Sequence, residues 1–396
     1  MKKNNIIAIL LYPVSPASGV IYSSVSLGPL HIINLLFVSL FAGFCAYNVI
    51  PYAGMDIVVY YIKYKEIEFL PIERLSEYYQ VNLGVTYLLK LMQLAGLSKE
   101  FVPFLITFIS YFTFLYSVKV LAPKKDVDKF NINSIYILFL AIFVISFIAN
   151  AIGIRSGLST SIFCLSIAYY LKGDKVKFSF LAIISVLVHV YIILPLCLIF
   201  FVKFLSIRTV RIMVLISPVL AVLGLGELIA VQTVPLVFPP EISDYILNVY
   251  VLSDRYGVNA ELSYKTQIVL FFFVSLPFYM TWFFAATCKL DNVIIKLIGC
   301  LIIFVFTFWD LFILVDRYKY LIQMLMAIVL FFSILKNKEN LNYIHYFFLF
   351  TCFISSCWGV FRYKVLIASS YDIVYKPFFF LFSNDVNINN LQVIAN

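Results

Sequence analysis

Charged residues are scarce in this sequence, at 12% of its 396 positions, whereas a soluble domain usually has about a quarter. Hydrophobic residues make up 63% of the chain. A water-soluble core cannot hide that much apolar surface. The composition therefore excludes an ordinary soluble protein and predicts a chain whose side chains mostly have the lipid bilayer as their solvent.

Short motifs for metal and cofactor chemistry are also missing. None of the seven cysteines forms a Cys-x-x-Cys pair, so neither a zinc site nor a disulfide framework is predicted. The sequence has no phosphate loop, no dinucleotide fingerprint and no serine-nucleophile elbow. We therefore expect no metal and no cofactor, and any chemistry has to rest on scattered polar side chains.

A basic domain is absent as well, although the formal net charge is +9. The lysines and arginines form short clusters between apolar runs, which is typical of loops that face the cytoplasm and contact lipid headgroups. This distribution argues against nucleic acid as a partner and predicts membrane lipids instead.

Apolar runs of about 20 residues, the length that crosses a bilayer, recur along the whole chain. They predict an all-α polytopic transmembrane bundle of about 10–12 spans that forms a single domain over residues 1–396. The strongest runs lie near residues 30–50, 101–120, 135–152, 158–171, 178–201, 212–231, 268–287, 293–315, 320–335 and 343–360. Weaker runs cover residues 81–97 and 365–382, and the first of these, with Lys90 in its middle, is expected to be interfacial or re-entrant.

The lysine and arginine clusters orient the bundle. Placing the clusters at residues 124–129, 172–177, 203–211 and 336–338 in the cytoplasm leaves one conflict, because the single run at residues 178–201 then joins two cytoplasmic clusters. We expect this run to be broken or re-entrant around residues 189–195, with the turn near the outer face. Residues 51–80, 153–157, 235–265 and 316–319 then lie outside, and residues 235–265 form the long outer loop.

Arg155 and His189 are the polar side chains that this orientation brings to the outer face. Arginine in an apolar stretch costs about 2.5–3.5 kcal/mol to insert, so it usually faces a cavity or a partner. Arg155 is interpreted either as an anion ligand or as an interface residue that extends to the headgroups. His189 is interpreted either as a general base or as a hydrogen-bonded core residue.

The tripeptide Asp-Arg-Tyr occurs twice on the same predicted face. One copy is Asp254-Arg255-Tyr256 in the long outer loop, and the other is Asp316-Arg317-Tyr318 at the outer end of a span. Converging arginines suit an anionic ligand such as a diphosphate, and tyrosines can stack on sugar rings. Adjacent aspartate and arginine can equally neutralise each other at a surface, and tyrosines can form an interface belt.

Two further acids are candidates. Asp56 follows an early span, where it is either a carboxylate at the cavity rim or a helix cap. Asp310, beside Trp309, is predicted to be buried within the membrane, where it is either functional or paired with an arginine.

The pattern as a whole resembles the EpsG/Wzy-type family of O-antigen and exopolysaccharide polymerases. The matching elements, in chain order, are Gly54-Met55-Asp56 with Tyr60-Tyr61, Arg155-Ser156-Gly157-Leu158, the lysine-rich turn at residues 172–177, His189, and Asp316-Arg317-Tyr318. They cover most of the chain from residue 51 to residue 335.

The resemblance implies a multi-pass protein of the bacterial inner membrane that joins undecaprenyl-diphosphate-linked oligosaccharide repeat units on the outer face. Arg155, Arg255 and Arg317 would stabilise the leaving diphosphate, and Asp56, Tyr256 and Tyr318 would line the substrate site. His189, or else Asp254 or Asp316, would serve as the base. The implied partners are the lipid-linked oligosaccharide and a regulator of chain length.

Two other functions stay open. A flippase for lipid-linked sugars would share the spans and the cavity arginines, although a long outer loop favours an enzyme. A membrane O-acyltransferase would use a histidine base, but it would normally carry further arginine and histidine motifs near its first spans.

Overall fold

The computed structural model of the chain describes residues 3–27, 30–49, 56–78, 83–122, 138–237, 239–252, 275–287, 292–336 and 342–362. All regular structure within those ranges is helical, which confirms the all-α prediction. In chain order the α-helices are α1 Lys3–Val14, α2 Pro16–Ser26, α3 Ile32–Tyr47, α4 Asp56–Glu66, α5 Leu75–Tyr78, α6 Leu83–Leu94, α7 Phe101–Leu121, α8 Phe147–Ala151, α9 Arg155–Leu171, α10 Lys175–Val188, α11 Ile193–Phe201, α12 Ile207–Leu223, α13 Gly226–Val237, α14 Pro240–Ile246, α15 Leu276–Thr287, α16 Asn292–Thr307, α17 Phe312–Lys336 and α18 Asn342–Arg362.

The helices form two compact units. The first contains residues Met1–Ile193 and Ser356–Asn396, and the second contains Leu194–Ser355. The single domain predicted over residues 1–396 stays a prediction.

The first unit is built around α7, which packs against α3 and α9, while α9 packs against α10. Aromatic side chains follow one another along α7 at every fourth position. Phe104, Phe108, Phe112 and Tyr116 stack with centroid separations of 6.4, 6.2 and 5.9 Å. This spacing places them on one stripe of the helix, because residues four apart are neighbours on its surface.

The second unit is built around α16, which packs against α12 and α17. Two polar side chains fasten α16 to its surroundings through backbone carbonyls. The indole N–H of Trp282, in α15, donates to the carbonyl of Ile295 at 2.8 Å. The ammonium of Lys296 donates to the carbonyl of Leu205, just before α12, also at 2.8 Å.

One helix among the described residues, α7, is long and apolar enough to cross a membrane on its own. The pair Ile207–Leu223 and Gly226–Leu236 meets the same criterion together, but it is bent by 101°. Shorter apolar helices lie at Asn4–Val14, Ile32–Tyr47, Leu83–Leu94, Val190–Phe201, Leu276–Ala286, Val293–Thr307 and Tyr343–Cys357. These apolar helices favour a membrane protein, while the span count of about 10–12 stays a prediction.

The predicted break in the run at residues 178–201 is confirmed. Helix α10 ends at Val188, His189 has extended backbone (φ −154°, ψ 123°), and a 3-10 turn leads into α11. Pro195 lies in the first turn of α11, where a proline removes no helical hydrogen bond. The chain therefore breaks at His189 and not at Pro195.

The predicted outer loop at residues 235–265 is wrong in its first part. Pro235 lies inside α13, and α14 is followed directly by a π-helical stretch at Leu247–Val251. Pro239 and Pro240 explain the start of α14, because a proline at the first helical position has its φ already set for the helix. Residues 253–265 lie outside the described residues.

The predicted turn at residues 316–319 is also displaced. Asp316, Arg317 and Tyr318 lie inside α17, which begins at Phe312. The break after α16 falls at residues 308–311, where the N–H of Leu311 donates to the carbonyl of Phe308 at 3.0 Å.

Candidate functional site

Helices α9 and α10 form a hairpin that sets the geometry of the first unit. The turn between them is closed by Asp174, whose carboxylate accepts from the N–H of Lys177 at 3.1 Å and pairs with its ammonium at 2.9 Å. The two helices have 17 and 14 residues, which makes them about 25 and about 21 Å long. Since they run antiparallel, Arg155 at the start of α9 and His189 after α10 lie at the same end of the hairpin.

The backbone just before Arg155 is strained. Ile154 has φ 29° and ψ −70°, and its side chain is fully buried. Positive φ in a β-branched residue costs on the order of 1–3 kcal/mol, and such strain persists only where the surroundings hold it. The tight connection from α8 thereby fixes the first turn of α9 and the position from which Arg155 projects.

Arg155 lies over an aromatic ring of α4. Its guanidinium carbon is 5.5 Å from the centroid of Tyr60, a cation–π distance. The ring is buried, and the guanidinium is partly buried. Arg155 is also the first residue of α9, whose first turn holds no acidic side chain. A cation at the positive end of a helix is unfavourable on its own, whereas an anion bound there is stabilised.

Lys63 is a second cation on the face of α4 that contacts Arg155. It lies one turn after Tyr60 on the same face of α4 and is partly buried. Burial, and then the positive charge of Arg155, lower the pKa of Lys63 to about 8, while Glu66 opposes the shift and is the weakest of the three influences. Helix α4 is not among the apolar helices of the described chain. The cluster of Tyr60, Lys63, Glu66 and Arg155 is called the cation cluster below.

His189 is connected to the same end of α9 through Tyr191. The two rings meet edge to face, with centroids 4.9 Å apart. The Tyr191 hydroxyl contacts the hydroxyl of Thr160 and donates to the carbonyl of Ser156 at 3.3 Å. The break in the chain at His189 is thereby held to the first turns of α9, directly beside Arg155.

Close backbone packing fixes the end of α10. A Cβ added at Gly84, in α6, would lie 3.1 Å from the carbonyl of Leu187 and from the N–H of Val188. Any larger side chain at this position would push the chain just before His189 away from α6. Val188 and Ile154 also belong to one buried cluster with Tyr60. The residues that precede Arg155 and His189 therefore share a core.

The other predicted site residues lie in α4 of the first unit and in α17 of the second unit. Asp56 lies in the first turn of α4 and is partly buried, which suits the helix dipole. In α17, Asp316 is exposed, Arg317 is partly buried, and Tyr318 is buried against Phe304 with ring centroids 4.9 Å apart. The other tripeptide, Asp254, Arg255 and Tyr256, lies outside the described residues.

Asp310 has a structural role. Its carboxylate accepts from the backbone N–H of Glu227, at the start of α13, with a distance of 2.9 Å. It therefore caps a helix that lies more than eighty residues away in sequence. This replaces the interpretation of Asp310 as an acid buried within a span, because the residue lies in the turn between α16 and α17.

Sequence reasoning missed Lys63, Thr160 and Tyr191. Tyr60, Lys63 and Glu66 recur at every third position, which places them on one face of a helix, but the docking of that face on Arg155 has no sequence signal. Among the described residues, no three histidine, cysteine, aspartate or glutamate side chains come together as metal ligands.

Comparison with known families finds one match. A model of the EpsG family covers residues 30–371 of this chain. That range contains the cation cluster, His189 and the Asp-Arg-Tyr tripeptides. Neither a curated protein nor a solved structure matches the chain.

Proposed function

The chain belongs to the EpsG family, and from that premise we propose that it polymerises oligosaccharide repeat units of an exopolysaccharide or O-antigen. The substrates would be repeat units carried on undecaprenyl diphosphate, and the reaction would take place on the outer face of the inner membrane of a bacterium. A regulator of chain length would act as a partner. The observation that carries the proposal is the family match over residues 30–371.

The proposed reaction moves a growing glycan onto a new lipid-linked unit. An acceptor hydroxyl on the new unit attacks the anomeric carbon of the growing chain, and the bond from that carbon to the diphosphate oxygen breaks. The hydroxyl proton passes to a base, and undecaprenyl diphosphate leaves with the bonding electron pair. The two requirements are a cationic site for the developing charge on the diphosphate and a base near the acceptor.

Two side chains at one end of the α9–α10 hairpin support an assignment of these two roles. Arg155 has a planar guanidinium that can bind two diphosphate oxygens at once, and it projects from a helix N-terminus, which also favours an anion. The imidazole of His189, which is buried, is the candidate proton acceptor. We propose Arg155 as the diphosphate ligand and His189 as the base.

The other sequence candidates keep their proposed roles. Arg317 and Arg255 would bind negative charge of the substrate, Asp316 or Asp254 would be the alternative base, and Asp56, Tyr256 and Tyr318 would contact the sugars. A burial difference favours Arg317 over Asp316 as a ligand in a dry site, since Arg317 is partly buried and Asp316 is exposed.

A flippase remains the second candidate. The long outer loop that favoured an enzyme is helical as far as Val251, so loop length no longer separates the two functions. The distinction has to come from the products that accumulate in a mutant.

The test uses a strain without the gene, complemented with variants. We expect Arg155→Ala and His189→Ala to abolish long-chain polysaccharide while single repeat units still reach their final acceptor, because the units are exported but not joined. Arg208→Ala, which changes an exposed arginine at the start of α12, is the matched control and should make normal polymer. The products are compared on a gel.

Absence of single repeats from the surface would point to a flippase. Normal polymer in the strain without the gene would contradict the proposed function as a whole.

A further inference from the structure

Residues 172–174 join α9 to α10 in a turn of fixed shape. The N–H of Gly173 donates to the carbonyl of Tyr170, and the N–H of Asp174 donates to the carbonyl of Tyr169, both at 3.0 Å. Gly173 has left-handed backbone (φ 80°), so α9 ends in a Schellman motif. A Cβ added at Gly173 would meet no atom within 4 Å apart from its chain neighbours. The outer surface of the turn is therefore open.

Three lysines and one aspartate stand at this turn, and one of the lysines is engaged. Lys177 pairs with Asp174 at 2.9 Å and lies over the ring of Tyr169 at 5.0 Å. Lys172 and Lys175 have exposed side chains, and among the described residues neither of them forms an ion pair. The turn therefore presents two ammonium groups on its outer surface and keeps a net positive charge.

Helix α10 has an exposed apolar stripe that begins at the same turn. The helix packs against α9 and α6, and its buried residues are Phe178, Ala182, Ser185 and Val188. Four large apolar side chains recur every three or four residues on another face, with exposed fractions of 80, 63, 59 and 49%: Val176, Phe180, Ile183 and Leu187. This spacing places them in one line along the helix. These four residues are called the α10 stripe below.

The α10 stripe has the length of one lipid leaflet. From Val176 to Leu187 it rises about 16 Å, and half of the hydrocarbon layer is about 15 Å thick. Lys175 directly precedes the stripe, and Lys172 stands on the other side of the Schellman motif. Positive charge at one end of an exposed apolar surface of this length matches an amphiphile that has an anionic head and an acyl chain.

We propose that the α9–α10 turn and the α10 stripe bind an anionic phospholipid, with its phosphate at Lys172 and Lys175 and an acyl chain along the stripe. Each lysine near the phosphate contributes about fivefold to the affinity. Since the turn is rigid, little entropy is lost when the headgroup binds. The site goes beyond the proposed function and does not depend on it, because it lies at the opposite end of the hairpin from Arg155 and His189.

The experiment uses the full chain in phosphatidylcholine nanodiscs that contain a little phosphatidylglycerol with a photoreactive acyl chain. A second sample contains the same mole fraction of phosphatidylcholine with the same photoreactive chain. After irradiation, mass spectrometry locates and quantifies the labelled peptides. The anionic probe should label residues 176–187 about 25-fold more than the neutral probe, because two lysines contribute about fivefold each.

Lysine variants identify the source of this preference. Lys175→Gln should lower it about fivefold, and Lys172→Gln combined with Lys175→Gln should abolish it. Lys172→Arg combined with Lys175→Arg should retain it, since both charges are kept. Lys65→Gln is the matched control, because Lys65 is an exposed lysine of α4, and it should be labelled like wild type. All of these variants should unfold at the wild-type temperature, because substitutions at exposed positions cost little stability.

Equal labelling of residues 176–187 by the two probes would overturn the inference, and so would an undiminished preference in the variant that lacks both lysines. The source of the phosphate is tested by competition. If unlabelled undecaprenyl diphosphate displaces the anionic probe more effectively than unlabelled phosphatidylglycerol does, the site binds the lipid carrier and the inference is wrong. Failure of the proposed function would instead appear as normal polymer in the strain without the gene, whatever the labelling shows.

Discussion

Ile154 fixes the position of the residue that follows it, Arg155. Its backbone is strained and its side chain is fully buried, so the strain is held by packing against the core that it shares with Tyr60 and Val188. The following residue is Arg155. A rigid, strained start to α9 allows the guanidinium to be placed over Tyr60 with few alternative positions, which reduces the entropy that binding an anion would otherwise cost.

Tyr191 is expected to contribute stability through its hydroxyl and site geometry through its ring. Tyr191→Phe removes the contacts with Thr160 and the Ser156 carbonyl, and should cost about 1–2 kcal/mol of unfolding free energy. The ring that packs on His189 remains, so polymer synthesis should persist. Tyr191→Leu removes the hydroxyl and the ring, so it should lose both stability and polymer synthesis. Thermal unfolding in detergent and product gels measure the two effects.

Equal stability of Tyr191→Phe and wild type would contradict this account of the hydroxyl. Full polymer synthesis by Tyr191→Leu would contradict the account of the ring, because His189 would then need no support from it.

Arg155 and His189 could be found from sequence because polar side chains in apolar runs are costly and therefore informative. Lys63 could not, since it stands in a polar segment where lysine is ordinary. Whether Lys63 lies near Arg155 depends on which face of α4 packs against Arg155. That packing is a tertiary contact, and the hydrophobic periodicity of the sequence does not reveal it.

At the scale of elements, the apolar runs located the helices well where nothing interrupts them. The run at residues 101–120 became α7, Phe101–Leu121. The run at residues 212–231 was predicted as one span, yet the chain turns at Gly224, which has left-handed backbone (φ 59°) and ends α12. A glycine inside an apolar stretch is tolerated in helices, so hydropathy alone does not reveal a bend of this kind.

Lys90 is the side chain that fastens α6 to the end of α4. Its buried ammonium donates to the carbonyls of Ile67 at 2.9 Å and Glu68 at 3.0 Å, where a cation is favoured by the end of a helical segment. Lys90→Met should therefore destabilise the chain by about 1–3 kcal/mol, because two carbonyls lose a charged donor. Thermal unfolding measures the loss.

The matched control is Leu91→Met, because the next residue of α6 is 55% exposed and a change there should cost little. A Lys90→Met protein that unfolds at the wild-type temperature would show that the ammonium contributes nothing to the docking of α6.

For the whole molecule, the orientation in the membrane is the prediction from which the proposed site follows. The short turn at residues 172–177 carries lysines, which predict that it faces the cytoplasm. If α9, which is about 25 Å long, crosses the hydrocarbon layer from this turn, Arg155 is expected near the opposite face. The antiparallel return along α10 brings His189 to that face as well.

Reporter fusions test this orientation directly. A fusion at Gly173 should report the cytoplasm, and a fusion at Lys65, in the segment after Asp56, should report the outer side. A periplasmic signal at Gly173 would contradict the predicted orientation, because Arg155 and His189 would then lie on the cytoplasmic side. The sequence predicted this arrangement through charge asymmetry, whereas the exact span count depends on helix breaks that it did not reveal.

The hydrogen bond from Glu227 to Asp310 has a mechanical consequence within the second unit. Helix α13 meets α12 at an angle of 101° and can pivot at Gly224 only if its first turn is released or if the turn at residues 308–311 travels with it. Arg317 stands two turns further along the helix that this turn begins. We therefore expect a swing of α13 to displace Arg317 as well, because the carboxylate of Asp310 joins the first turn of α13 to the turn that precedes α17.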